Sequence, residues 1–211
     1  MSEYVDLFIK GGPLMVPILL CSIVALTIFL ERLIALKPDR IFPPRLAETV
    51  LDLAKGGQFD AAVSLSRKQP SPLSALAVVA LESRGTGRAG VKERMEEVGG
   101  IEVATLARYV GGLSTVATIS PLLGLLGTVT GMVKVFQGVA SVEDPQIGQL
   151  AGGIWEALLT TVAGLVVAIP AYLAYRYLEG RIDKIAGRLE EYGLRLLDEL
   201  FPVNGRPEGD A

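Results

Sequence analysis

Residues 153–177 read GIWEALLTTVAGLVVAIPAYLAYRY. From Ala157 to Tyr175 the stretch holds no charge, which brings it close to the roughly 20 residues a membrane-crossing helix needs. Three polar groups interrupt that reading: the carboxylate of Glu156 and the hydroxyls of Thr160 and Thr161. At 100° per residue, Ala157, Thr161, Gly164, Ala168, Ala171 and Tyr175 fall on one face, mostly of small residues. The apolar residues set the fold class, an all-α membrane protein, and the polar ones raise the question of function.

Two further uncharged runs lie outside this stretch, Gly11 to Leu30 and Tyr109 to Val133. Half of the 211 residues are hydrophobic and the mean hydropathy is +0.45, too apolar for an ordinary soluble domain. Three transmembrane helices are therefore expected, at 13–36, 111–139 and 154–177. The first run reads as a span rather than a cleaved leader, because MSEYVDLFIK is not basic and no small-x-small site precedes Glu31 and Arg32. Cys21 is the single cysteine, so no intrachain disulfide forms.

Lys and Arg gather on cytoplasmic flanks. Eleven of the 20 basic residues lie between Lys37 and Arg108, six follow from Arg176 onward, and Arg32 closes the first span. Only Lys10 and Lys134 lie elsewhere, and Ser141 to Gly153 has no basic residue while carrying Glu143 and Asp144. This orients the chain with a periplasmic N-terminus (1–12), a cytoplasmic helical region (37–110), a periplasmic connection (140–153) and a cytoplasmic C-terminal helix and tail (178–211). A bacterial inner (cytoplasmic) membrane is the expected location.

In the cytoplasmic region Arg45–Lys55, Phe59–Lys68 and Pro72–Ser83 show apolar residues at helical spacing, separated by Gly56-Gly57, Pro70 and Gly85-Thr86-Gly87. From Ala89 no proline occurs until Pro121, so the second span is expected to extend into the cytoplasm as one long helix. The third span is expected to do the same. Leu178, Ile182, Ile185, Leu189, Tyr192 and Leu196 make a heptad seam, suited either to self-assembly or to packing on the chain's own helices. Asp144-Pro145 is a helix start signal, an acceptor at the N-cap followed by proline.

Membrane helices associate through small residues and a few polar contacts. In the second span Ala117, Ser120, Gly124, Gly127, Gly131 and Gly138 share a nearly bare face, with Thr128 on its border. This face and that of the third span can pair within one subunit or alternate around a ring, and the residues alone leave both open. Pro121 and Pro170 each remove a backbone hydrogen bond and permit a bend.

A carboxylate inside a span costs about 2.5 kcal/mol or more and marks ion or proton routes. Burial disfavours the charged form, so Glu156 is expected to bind and release protons near neutral pH. Thr160 lies one turn along on nearly the same side, and Thr161 lies on the small-residue stripe. Lys134 is expected to reach the interface or pair with Glu143 rather than join a relay.

No metal-ligand cluster or nucleophile–base pair is visible, so an enzyme, a metal and a cofactor are not expected. GLLGTVTG lacks the Lys-Ser or Lys-Thr pair of a phosphate loop. A net charge of −3 with no basic stripe argues against nucleic acid as a partner.

Three stretches carry a resemblance: GGPLMVPILLCSIVALTIFLERL, SPLLGLLGTVTGMVKVF and GGIWEALLTTVAGLVVAIPAYLAY. With the three-span layout they resemble the ExbB, TolQ and MotA proton-channel subunits, most of all the ExbB/TolQ branch. The resemblance implies a homopentamer around an axial pore. It also implies an ExbD- or TolR-like single-span partner with a membrane aspartate, and a TonB- or TolA-like transducer that carries the work of proton flow outward. Glu156 matches the third-span glutamate, Thr161 the third-span threonine and Thr128 the threonine of GLLGTV. Lys134 stands where an uncharged polar or acidic residue is expected. Competing readings are a non-conducting scaffold ring for a single-span partner and a sodium-driven stator.

Overall fold

The computed structural model describes residues 11–140 and 147–202. Lys10, Glu143, Asp144-Pro145 and the last residues, VNGRPEGDA, lie outside the described residues, and with them the expected helix start. Among the described residues there is helix and turn and no strand. The helices are α1 (Met15–Ala35), α2 (Pro38–Ile41), α3 (Pro44–Lys55), α4 (Phe59–Lys68), α5 (Pro72–Glu82), α6 (Gly87–Ala107), α7 (Val110–Ala140) and α8 (Ile147–Leu200). Of these, α1, α7 and α8 are long and apolar enough to cross a membrane.

The chain divides into two compact units. The first comprises residues 1–32 and 109–178, and the second residues 33–108 and 179–211. With 54 residues, α8 measures about 80 Å, so only part of it fits a hydrocarbon core of about 30 Å.

Local chemistry explains the short helices of the second unit. Pro38, Pro44 and Pro72 each stand in the first turn of their helix, where the missing N–H is harmless. Ser71 caps α5 by accepting from the Ser74 amide at 3.1 Å. Gly57, at φ +70°, ends α3 in a Schellman motif: Gln58 N donates to Leu53 O at 2.9 Å and Gly57 N to Ala54 O at 3.1 Å. The core of this unit is built of large apolar side chains, with Leu73, Leu81, Val91, Leu196 and Leu197 fully buried.

The heptad positions of α8 that belong to this unit, Ile182, Ile185, Leu189, Tyr192 and Leu196, are buried within the single chain. Tyr192 meets Phe42 edge to face at 5.8 Å, and Gly193 lies against Met95 and Leu76. The seam therefore packs on the chain's own helices. Burial holds the Tyr192 hydroxyl well above the ordinary tyrosine range, and its Oη has no hydrogen-bond partner among the described residues.

One expectation needs correction. The helix from Ala89 does not run unbroken into the second span: α6 ends at Ala107, Arg108 is extended at ψ 136°, and Tyr109 has φ 69°. No proline is involved. The left-handed backbone at Tyr109 interrupts the α6 hydrogen-bond ladder, and its carbonyl starts α7 by accepting from Gly112 N at 2.9 Å. Such a conformation costs a tyrosine on the order of 1 kcal/mol or more. The Arg32 guanidinium, 5.3 Å from the ring centroid, returns part of it through a cation–π contact of about 0.5–1 kcal/mol.

Candidate functional site

In the first unit α7 and α8 run antiparallel and touch through their bare faces. Ser120, Gly124, Gly127 and Gly131 are buried on α7, and Ala157, Thr160, Gly164, Ala168 and Ala171 on α8. A Cβ on Gly131 would lie 2.9 Å from Ala157 Cβ, one on Gly124 2.9 Å from Thr160 O, and one on Gly164 2.5 Å from Ser120 O. A Cβ on Gly127 would overlap Thr160 Oγ1. Backbone meets backbone here, which only glycine permits. Of the two arrangements the sequence leaves open, the single chain adopts the internal pairing.

The two threonines exchange places relative to the helical-wheel reading. Thr160 is 2% exposed and fills the centre of the seam, because Gly127 opposite has no side chain. Its Oγ1 donates to Ala157 O at 2.7 Å and lies 3.4 Å from Gly124 O. Thr161 is half-buried at the seam's border and donates to Gly124 O at 3.0 Å. Gly124 O thus gathers hydroxyls from both. Thr128 bonds its own helix, at Leu125 O 2.7 Å away, and Gly138 is exposed, with nothing near its Cβ position. Ser120 Oγ, fully buried, has no partner among the described residues. Pro121 and Pro170 lie inside α7 and α8.

Glu156 stands at one end of this seam. Lys134 Nζ of α7 lies 3.8 Å from its Oε1, with the Glu156 side chain 35% exposed. The sequence offered Lys134 the interface or Glu143, which lies outside the described residues; among those described its ion-pair partner is Glu156. Both residues lie about two turns inside the described ends of their helices, near enough for the lysine's flexible stem to reach across. The second neighbour is Gly12, at φ +72°, where Oε1 occupies the place a Cβ would take. Sequence reasoning missed Gly12; the signal available was the Gly-Gly-Pro just ahead of the first span.

Gly12 also gives the site a depth. The 21 residues of α1 rise about 31 Å, one hydrocarbon thickness, and Gly12 precedes them. Trp155, next to Glu156, and Tyr177 are exposed, and the axial rise between them is about 33 Å, as for a pair of interfacial aromatic belts. Glu156 thus stands at the level of the turn that precedes α1.

The fold and this seam define a multi-pass membrane protein whose helices pair through bare backbone and carry a carboxylate at one end. Residues 68–191 match the model of the MotA/TolQ/ExbB proton channel family. Over 187 residues the chain is 33% identical to an ExbB homolog of biopolymer transport from Methanothermobacter thermautotrophicus, covering 88% of this chain and 66% of the relative. It is 30% identical over 208 residues to the biopolymer transport protein ExbB of Salmonella typhimurium, covering 93% and 83%. Against the Tol-Pal system protein TolQ of Haemophilus influenzae it is 37% identical over 102 residues, covering 48% and 43%. The chain belongs to the MotA/TolQ/ExbB family, on its ExbB/TolQ branch.

Proposed function

We propose that this chain is the proton-channel subunit of an ExbB/TolQ-like energy-transducing motor in the inner membrane. Five copies surround an ExbD- or TolR-like single-span partner whose membrane aspartate works with Glu156, and a TonB- or TolA-like protein carries the resulting movement outward. The observation that supports this best is Glu156 itself, a carboxylate at one end of a seam whose other polar side chains, Ser120, Thr160 and Thr161, are uncharged hydroxyls. Inward from it, Thr161 keeps part of its surface while Thr160 is enclosed. Thr161 is therefore the hydroxyl that continues the path, with Thr128 on the neighbouring helix.

Because the bare faces pair within the chain, the faces left for neighbours and lipid are apolar: Leu122, Leu125 and Val129 on α7, and Leu158, Val162 and Leu165 on α8, all exposed. In an apolar wall a single carboxylate is effective, since no second carboxylate competes for the proton. Each proton crossing about 100 mV releases about 2.3 kcal/mol, so several must be coupled to one mechanical step.

The test is proton flux in liposomes holding the complete complex. Glu156→Gln keeps the shape and removes the titrating group, and the expected result is loss of partner-dependent flux with assembly intact. Undiminished flux in that variant overturns the proposal. The Lys134 contact favours a second reading, a non-conducting ring in which Glu156 only anchors α7 to α8. On that reading Glu156→Gln and Lys134→Gln weaken assembly equally and the wild-type complex conducts nothing.

A further inference from the structure

Among the described residues of the second unit, two large apolar side chains beyond the end of α1 stand in the open: Ile101 is 59% exposed and Leu194 48%. Leu194 borders a groove of about 450 Å³ between α6 and α8. Gly99, Gly100 and Val103 of α6 and Ala186 and Leu189 of α8 line it, with Glu190 on its rim. A Cβ on Gly100 would meet nothing within 4 Å, so the space there is open. Ile101 does not line the groove. At 100° per residue it lies about 160° round α6 from the groove's middle. An apolar knob and an apolar hole thus stand on opposite sides of one helix.

The register of the two helices fixes their relative level. Arg88 reaches Asp198 at 2.7 Å and Gly193 lies against Met95, so α6 and α8 are antiparallel and Ala186 is level with Ile101. We propose that Ile101 of one copy seats in the α6–α8 groove of the next, over Gly99, Gly100 and Ala186. This rests on the ring of copies proposed above and adds the contact by which its second units hold one another.

A surface that carries a knob and a separate hole joins copies head to tail, and such contacts close into a ring when the rotation allows. In a ring whose axis runs along α6, equivalent residues share a level, so Ile101 meets the two glycines and Ala186 rather than Leu197 at the groove's other end. Charge agrees with this placing. Arg94 stands two turns before Ile101 on the same side of α6, and Glu190 is within about a turn of its level. Both are exposed, and among the described residues neither has an ion-pair partner within the chain. A lipid chain in the groove would leave Ile101 and Arg94 in water; a second copy covers both.

Disulfide trapping tests the contact in membranes holding the complete complex, in a Cys21→Ser background. A disulfide needs Cα atoms within about 7 Å, and Ile101 lies across a helix about 10 Å thick from its own groove, so any bridge joins two copies. Ile101→Cys with Glu190→Cys changes two exposed positions and leaves the core intact. Mild oxidation is expected to give a ladder of covalent multimers, as it is for Ile101→Cys with Ala186→Cys. Mixed copies that each carry one of the two cysteines are expected to give dimers and nothing larger. Ile101→Asp is expected to weaken assembly about tenfold or more on dilution. A wild-type complex of several copies in which neither pair bridges overturns the contact. So do equal bridging of Ile101→Cys to Lys68→Cys, which is outside the groove, and undiminished assembly in Ile101→Asp. A monomeric wild type on native mass spectrometry defeats the ring itself, whereas unchanged flux in Glu156→Gln defeats the ion path and leaves the bridges in place.

Discussion

Between α7 and α8 the Ser120 carbonyl sits so near Gly164 that a single Cβ would come within 2.5 Å of it. In the second unit, by contrast, Leu73, Leu81, Leu196 and Leu197 are enclosed completely and Tyr192 adds an aromatic edge. The solvent accounts for the difference. Surrounded by lipid, a leucine gains nothing by leaving its environment, so helices adhere through closeness and hydroxyl–carbonyl bonds. Surrounded by water, burial of a leucine or valine contributes about 1.5–3 kcal/mol, so large side chains are favoured. One helix, α8, follows both rules in turn along its length.

The contrast breaks first at Gly164. Gly164→Leu is expected to force the helices apart and abolish a monodisperse complex on size-exclusion chromatography. The milder Gly164→Ala should lower thermal stability more than Gly127→Ala, because its obstacle is a backbone carbonyl and not a side chain. Equal effects would mean that the backbone yields as readily as Thr160. In the second unit Leu81→Ala is expected to cost about 2–5 kcal/mol through the cavity it leaves, measured by reversible unfolding in detergent.

Next in size is Tyr192→Phe, expected to stabilise by about 1 kcal/mol because the lost hydroxyl has no partner. Its pH dependence has a definite sign. The folded-state pKa is raised, so the stabilising effect is complete below the unfolded-state value near 10 and is lost as pH rises toward the folded value. Wild-type stability should fall above about pH 10, less so in the phenylalanine variant. Smallest is Gly138→Ala: nothing stands near the added methyl, and helix propensity alone predicts a gain of up to about 1 kcal/mol. A loss there would mean that neighbours in the assembly use this glycine.

Much of this was readable beforehand because hydropathy and small-residue spacing are one-dimensional signals. The helices at Pro44–Lys55, Phe59–Lys68 and Pro72–Glu82 lie within a residue of the bounds expected between the proline and glycine markers. The break at Tyr109 was not readable, since a left-handed tyrosine leaves no compositional trace. Nor was the order of the threonines. A wheel centred on an ideal stripe does not know that Gly127 opposite makes room for Thr160, and that vacancy is a property of two helices together. Lys134 and Glu156 failed to announce each other for the same reason.

Gly12 makes the first helix more than an anchor. The turn that holds it and the carboxylate of Glu156 occupy adjoining space, so whatever restrains one changes the free energy of the other. By linkage the effect is reciprocal: a ligand that binds the turn at residues 11–14 more tightly when Glu156 is neutral must raise proton affinity by the same factor. The turn at residues 11–14 is thus a place from which the site can be adjusted without touching either helix of the seam.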